Sequence, residues 1–138
     1  MRLIKRRLVS GPIWLELDRV SFPAHQWDDF PVVILGFWLT NIEPLLLGQS
    51  TMCECPFMDG AYQFDVRMEH KDLFSVTLVE RHVDEKETLL TADVDCELLI
   101  GQLLAASEIV VHTCKSNGWN DDDMLNLEKL MLDAKGRL

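Results

Sequence analysis

"CECPFMDGAYQFDVRM", residues 53–68, reads as two extended runs folded back on each other at Asp59-Gly60. Beyond that pair, Tyr62, Phe64, Val66 and Met68 alternate with Gln63, Asp65 and Arg67, the period of two that puts one face of a strand in a core and the other in water. An Asp-Gly pair between such runs is a strong local hairpin signal, and Gly60 is expected to take the positive φ that a tight hairpin turn asks of its glycine. "LFSVTLVERH", residues 73–82, repeats the alternation, with Phe74, Val76 and Leu78 set against Ser75, Thr77 and Glu80. A meander of three antiparallel strands follows.

Downstream, from Asp93, the period becomes helical. Cys96, Leu99, Leu103, Ala106, Val110 and Cys114 recur every three or four residues, while Glu97, Glu108 and Lys115 fall on the other side, as in an amphipathic helix. Asn117-Gly118 supplies the left-handed ending that helices favour. "NDDDMLNLEKLMLDAK", residues 120–135, starts another helix with Met124, Leu127, Leu130 or Met131, and Ala134 turned inward. Asn120 or Asp121 is its expected cap, and the other aspartates of the run sit where the helix dipole is positive.

Upstream, "VVILGFWL", residues 32–39, is apolar everywhere except Gly36, which suits a central strand covered on both faces. The wider window from Pro31 to Leu47 approaches the length of a membrane span. Asn41, Glu43 and Pro44 near its end favour a buried strand followed by a helical turn, capped by Thr40 with Glu43 and ended by Gly48. Before it, "SFPAHQWDDFP", residues 21–31, reads as a loop. "RLIKRRLV" and "IWLELDRV", either side of Ser10, Gly11 and Pro12, read as the two arms of a hairpin. The fold class expected is α+β: an antiparallel sheet of hairpins and meander packed with two C-terminal helices, in a single domain over residues 1–138.

With 48% hydrophobic and 26% charged residues, the chain lies in the ordinary globular range and outside the regime of intrinsic disorder. The formal charge is −10, but four of the 13 basic residues (Arg2, Lys5, Arg6, Arg7) fall in the first seven positions. From residue 8 onward 9 basic residues face 23 acidic ones, or −14. Such a body repels nucleic acid and anionic membrane and steers basic partners inward. The basic start resembles a secretory leader, but Gly11, Pro12, Glu16 and Asp18 interrupt the apolar stretch after it, so no export and a cytoplasmic location are expected.

No catalytic motif is present: neither GxSxG, HExxH, a phosphate loop nor a dinucleotide fingerprint. Cys53-Glu54-Cys55 invites a zinc reading, yet the other two cysteines, Cys96 and Cys114, are 18 residues apart on one predicted helix, or roughly 27 Å at about 1.5 Å per residue. They cannot share a metal or a disulfide. Asp121, Asp122 and Asp123 lack the mid-loop glycine and closing glutamate of a calcium loop. "HVD" at His82–Asp84 and "CECP" have the wrong order and spacing for a zinc deaminase. His25, His70, His82 and His112 are scattered singly. No metal and no cofactor are expected, and the chain is read as a binding protein and not an enzyme.

"HQWDDF", residues 25–30, allows three readings. His25 with Asp28 or Asp29 suits general acid/base chemistry in a small enzyme or ligand-binding domain. Alternatively, Trp27 and Phe30 anchor a loop whose aspartates are turn residues before Pro31. In the third, Trp27 ringed by acidic neighbours is an interface anchor. The candidate partner-binding residues are Trp27, Asp28, Asp29, Asp121, Asp122 and Asp123.

"WDDFPVVILGFWL", followed by "PFMDGAYQFDV" and a final pair of helices, resembles the small bacterial immunity proteins of polymorphic and contact-dependent growth-inhibition toxin systems. The likeness is one of layout, spans Trp27 to Trp119, and carries no functional residue across. It implies a cytoplasmic protein that blocks one cognate toxin domain by tight, non-catalytic binding. An acidic body suits a basic toxin such as a nuclease. An acidic adaptor in a larger assembly is the remaining alternative.

Overall fold

A computed structural model describes residues 2–137. It has the α+β architecture, with the main sheet built as a meander, β6 (Met52–Pro56), β7 (Tyr62–His70), β8 (Leu73–Arg81) and β9 (Lys86–Asp95), every neighbour antiparallel. Cys53, Cys55, Phe64, Val66, Phe74, Val76 and Leu78 are buried on one face. That face is covered by α1 (Pro31–Leu46) and α2 (Cys96–Ser116), and α3 (Asp122–Gly136) packs on both helices as an outer layer. The reverse face is polar. There Arg81 Nε donates to Gln63 Oε1 at 2.5 Å, and Gln63 Nε2 donates to Asp65 Oδ1 at 2.6 Å.

The meander has four strands where three are expected. Leu90, Ala92 and Val94 pair across from Leu78, Val76 and Phe74, so the stretch before Cys96 is extended and the helix starts three residues later than Asp93. Asp95 ends the strand and caps α2, accepting from Leu98 N at 3.1 Å. A bulge between Leu78 and Val79 hides the alternation of β9 from a simple period-two reading.

The β6–β7 turn forms where expected, but by different chemistry. Asp59 accepts from Ala61 N through Oδ1 at 3.0 Å and from Tyr62 N through its carbonyl at 3.1 Å, a side-chain-closed Asx turn. Gly60 stays out of the left-handed region, which among the described glycines holds only Gly48 and Gly118.

The largest correction concerns residues 31–48. Instead of a central strand and a helical turn, residues 31–46 of this stretch form the 16-residue α1. Pro31 at its first position presets a helical φ and gives up a donor that would have no partner. Ile34, Leu35, Trp38, Ile42 and Leu45 are all buried, Trp38 stacking edge-on to Phe64 at 4.9 Å and donating from Nε1 to Pro56 O at 2.7 Å. Val32 and Gly36 face α3. Layers on two sides leave the helix no continuous polar stripe, so its composition matches that of a doubly covered strand. Thr40 and Glu43 lie inside the helix and cap nothing. Gly48, at φ +70, does end it: Gly48 N bonds to Leu45 O and Gln49 N to Pro44 O, a complete Schellman motif.

The N-terminal hairpin also differs. β1 (Ile4–Lys5) pairs with β2 (Val9–Pro12), and β3 (Leu15–Leu17) pairs with β4 (Val20–Phe22). Each run thus folds on itself or its own continuation, and Ser10-Gly11-Pro12 lies within β2. Gly11 is required there because a Cβ would sit 2.6 Å from Leu3 Cδ2 and 2.8 Å from Arg2 O. β5 (Asp28–Asp29), inside the expected loop, pairs with Pro12 and Gly11.

By length and composition α2 could cross a membrane. Its Leu99, Leu103, Val110 and Cys114 are buried against the fold, as in a core helix.

Candidate functional site: the acidic end of the α1–α3 pair

Val32 and Val33 of α1 line a hollow of about 250 Å³ together with Asp123 and Asn126 of α3. At the other end of the pair, Arg137 donates to Glu43 at 2.7 Å. The two helices therefore run side by side in the same direction, with both N-termini at one end of the molecule. Asp28-Asp29 immediately precedes α1 and Asp121–Asp123 opens α3, so the fold brings the two acidic runs to that common end.

Within the first run the carboxylates have opposite environments. Asp29 is only 6% exposed. Its Oδ2 accepts from Trp27 Nε1 at 2.9 Å and from Met58 N at 3.3 Å, and its Oδ1 accepts from Phe30 N at 2.7 Å. Three donors satisfy the buried charge and tie the entry of α1 to the β6–β7 turn. Asp28, one residue earlier, is exposed beside Pro12. Trp27 is half-buried, edge-on to Tyr62 at 5.3 Å. Its anchoring is inside the fold.

The second run repeats the division. Asp121 caps α3, accepting from Met124 N at 3.0 Å, and lies 3.3 Å from Lys5 Nζ. Asp122 and Asp123 are exposed in the first turn. Phe37 stands 44% exposed, on the same hollow as Val33 and Thr40. Val33 and Phe37 were hidden by the strand reading of residues 32–39, and Thr40 by its reading as a cap. Read as a helix, their spacing of four and three places them on one stripe.

His25 does not join the carboxylates beside it. Its ring packs edge-on to Trp14 at 5.2 Å, and among the described residues no hydrogen bond links it to Asp28 or Asp29. The acid/base pair that the loop suggested is not assembled here.

Cys96 and Cys114 stand near opposite ends of α2, as their spacing implies. Cys53 and Cys55 lie side by side on the core face of β6, and all four thiols are free. Burial pushes the Cys55 thiol well up, as does its hydrogen bond to Cys53; that same bond lowers Cys53. Elsewhere, at the exposed β8–β9 turn, Glu80, His82 and Glu87 bring three potential ligand atoms within 4.8 Å of one another. His82 Nε2 already meets Glu87 Oε2 at 3.0 Å, which raises the imidazole above its ordinary value.

The chain matches no protein-family model, no curated protein and no solved structure.

Proposed function

We propose that this protein is a non-catalytic binding domain that occludes a basic protein partner, in the manner of an immunity protein covering its toxin domain. The observation that carries the reading is the exposed Phe37 on a hollow whose rim includes Asp123, with Asp122 exposed one residue before it and Asp28 exposed just ahead of α1. An exposed aromatic side chain beside an apolar recess, with one carboxylate on its rim and others exposed at the two helix starts, has the anatomy of an interface: the ring supplies contact energy and the charges supply steering. Asp29 and Asp121, spent within the fold, hold the helix starts that present the others. A cytoplasmic setting and a nuclease-like partner extend the same proposal.

The test is co-expression with the product of a neighbouring toxin-like reading frame, followed by binding kinetics on the purified pair. Association should slow as salt rises, and the double reversal Asp122→Lys/Asp123→Lys should slow it by about tenfold. Phe37→Ala should leave association near its original rate and speed dissociation. An association rate indifferent to both salt and charge reversal would remove this face from the account.

A further inference from the structure

The β8–β9 hairpin ends in the turn His82–Glu85, closed by His82 N donating to Glu85 O at 2.8 Å. Next to the turn the register sets Arg81 opposite Lys86 and Glu80 opposite Glu87. Alternation divides these residues between two faces. Arg81 and Lys86 share one of them, Arg81 Nη2 lying 2.9 Å from Glu54 Oε2 and Lys86 Nζ 3.8 Å from Glu54 Oε1. Glu80, His82 and Glu87 share the other.

Arg81 and Lys86 are the only arginine and lysine between Leu73 and Asp95, and both are engaged by Glu54. Glu80 and Glu87 remain as a like-charge pair directly across two strands, an arrangement that ordinarily weakens a sheet. Glu85 is near enough to act on the same imidazole. The Glu80 side chain has neither a hydrogen bond nor an ion pair among the described residues. With the local cations turned away, this face gains from a cation taken from solution.

The geometry suits a metal ion. One ligand atom each from Glu80, His82 and Glu87 lie within 4.8 Å of one another, and among the described residues no other three side chains of ligand type converge in this way. Bonds of about 2.0–2.2 Å to a single zinc ion set its ligand atoms roughly 3–3.5 Å apart. His82 Nε2 and Glu87 Oε2, at 3.0 Å, already stand at that spacing, so an ion takes the place of the proton between them. Glu80 closes on it by rotation of its own side chain. Glu80 and Glu87 stand on paired strands and His82 follows the last residue of β8, so the backbone fixes where all three start. An imidazole with two carboxylates suits a first-row transition ion, whereas Mg²⁺ and Ca²⁺ favour oxygen throughout.

We infer that Glu80, His82 and Glu87 bind one exchangeable divalent ion of the zinc class at the tip of the β8–β9 hairpin. Three protein ligands leave a coordination position open to water or to a donor atom from a second molecule. β8 and β9 are paired along their length without the ion, so the fold does not depend on it. The site shares no residue with the α1–α3 hollow, and the two proposals stand or fall separately.

Titration calorimetry of Zn²⁺ and of Mg²⁺ into the whole, metal-free protein tests this. Zn²⁺ should bind one to one and at least about tenfold more tightly than Mg²⁺. Loss of a mere outer-shell partner typically weakens a metal by about 10–100-fold, so His82→Ala, Glu80→Gln and Glu87→Gln, each checked for native circular dichroism, should each weaken Zn²⁺ by at least about tenfold. His70→Ala, elsewhere in the sheet, should leave it unchanged. Co²⁺, standing in for zinc, should broaden the amide NMR signals of residues 80–87 before any others. No Zn²⁺ binding, equal affinity for Mg²⁺, undiminished binding to His82→Ala, or broadening centred on the cysteines or on Asp121–Asp123 would each overturn the assignment. Should a variant fail to fold, the comparison of ions and the cobalt map decide alone.

Discussion

The two aspartate runs, Asp28-Asp29 and Asp121–Asp123, look alike in sequence and behave alike in the fold, but neither acts as a unit. In each, one carboxylate is drawn inside to organise a helix start: Asp29 beneath Trp27 and Met58, Asp121 over Met124. In each, the remainder stays in water. A charge run is therefore two functions in adjacent positions, and what separates them is which side chain faces an unpaired backbone donor. The runs differ in depth, since Asp29 is 6% exposed while Asp121 is half-buried. That contrast sets the order of expected effects.

Asp29→Ala should be the most damaging change. It strands the Trp27 indole N–H and the Met58 amide, and hydrogen bonds to a charged group, once made and then orphaned, cost about 3 kcal/mol together. Urea denaturation measures it. A loss below about 1 kcal/mol would mean that Asp29 is no more structural than Asp28, and the division would collapse.

Asp121→Ala should cost less, about 1 kcal/mol, because it removes one cap interaction and a partly screened pair with Lys5. Asp121→Asn, which keeps an acceptor for Met124 N, should recover most of it. The same melts, run on the two variants side by side, separate cap from charge: equal losses would assign the effect to the Lys5 pair.

The double reversal Asp122→Lys/Asp123→Lys should move the denaturation midpoint least of the aspartate changes, within about 0.5–1 kcal/mol, the cost being an unfavourable charge near the helix N-terminus. Its consequence belongs in association kinetics with a basic partner. A variant that loses stability as Asp29→Ala does would place these carboxylates with the structural pair.

Smallest of all should be the effect of the exposed His82–Glu87 pair on stability. The hydrogen bond to Glu87 raises the His82 pKa, so whatever it contributes is present below the ordinary histidine range and fades as pH rises through the folded value. NMR titration should find His82 above its ordinary value of 6.5, with Glu87→Gln lowering it. An unshifted imidazole would show that the pair does not persist in water. The Glu80–His82–Glu87 cluster also offers a metal check: a chelator should leave the thermal midpoint unchanged, and stoichiometric zinc with a large chelator-induced shift would assign the cluster a structural ion.

Alternation made β7 and β8 readable because each strand has one wet face, and Asp121 was readable as a cap because its acceptor serves a donor three residues away. The candidate surface was only half legible. Its carboxylates stand in plain sequence, but Phe37, Val33 and Thr40 become neighbours only once residues 31–46 are helical. Asp29 looked like its neighbour because nothing local says that Met58, 29 residues on, will donate to it.

By itself the sequence determined the antiparallel meander's turn at Asp59, the amphipathic C-terminal helices with their Gly118 ending and Asp121 cap, and an acidic surface, all of which follow from contacts within a few residues or from composition. Only the tertiary structure decided that "PVVILGFWL" is a helix, that β9 adds a fourth strand, that the N-terminal runs pair as β1–β2 and β3–β4, and that both acidic runs meet at one end. The physical reason is shared: a segment covered on two sides carries no polar stripe to report its period, and a carboxylate's role is set by the donor that distant chain brings to it.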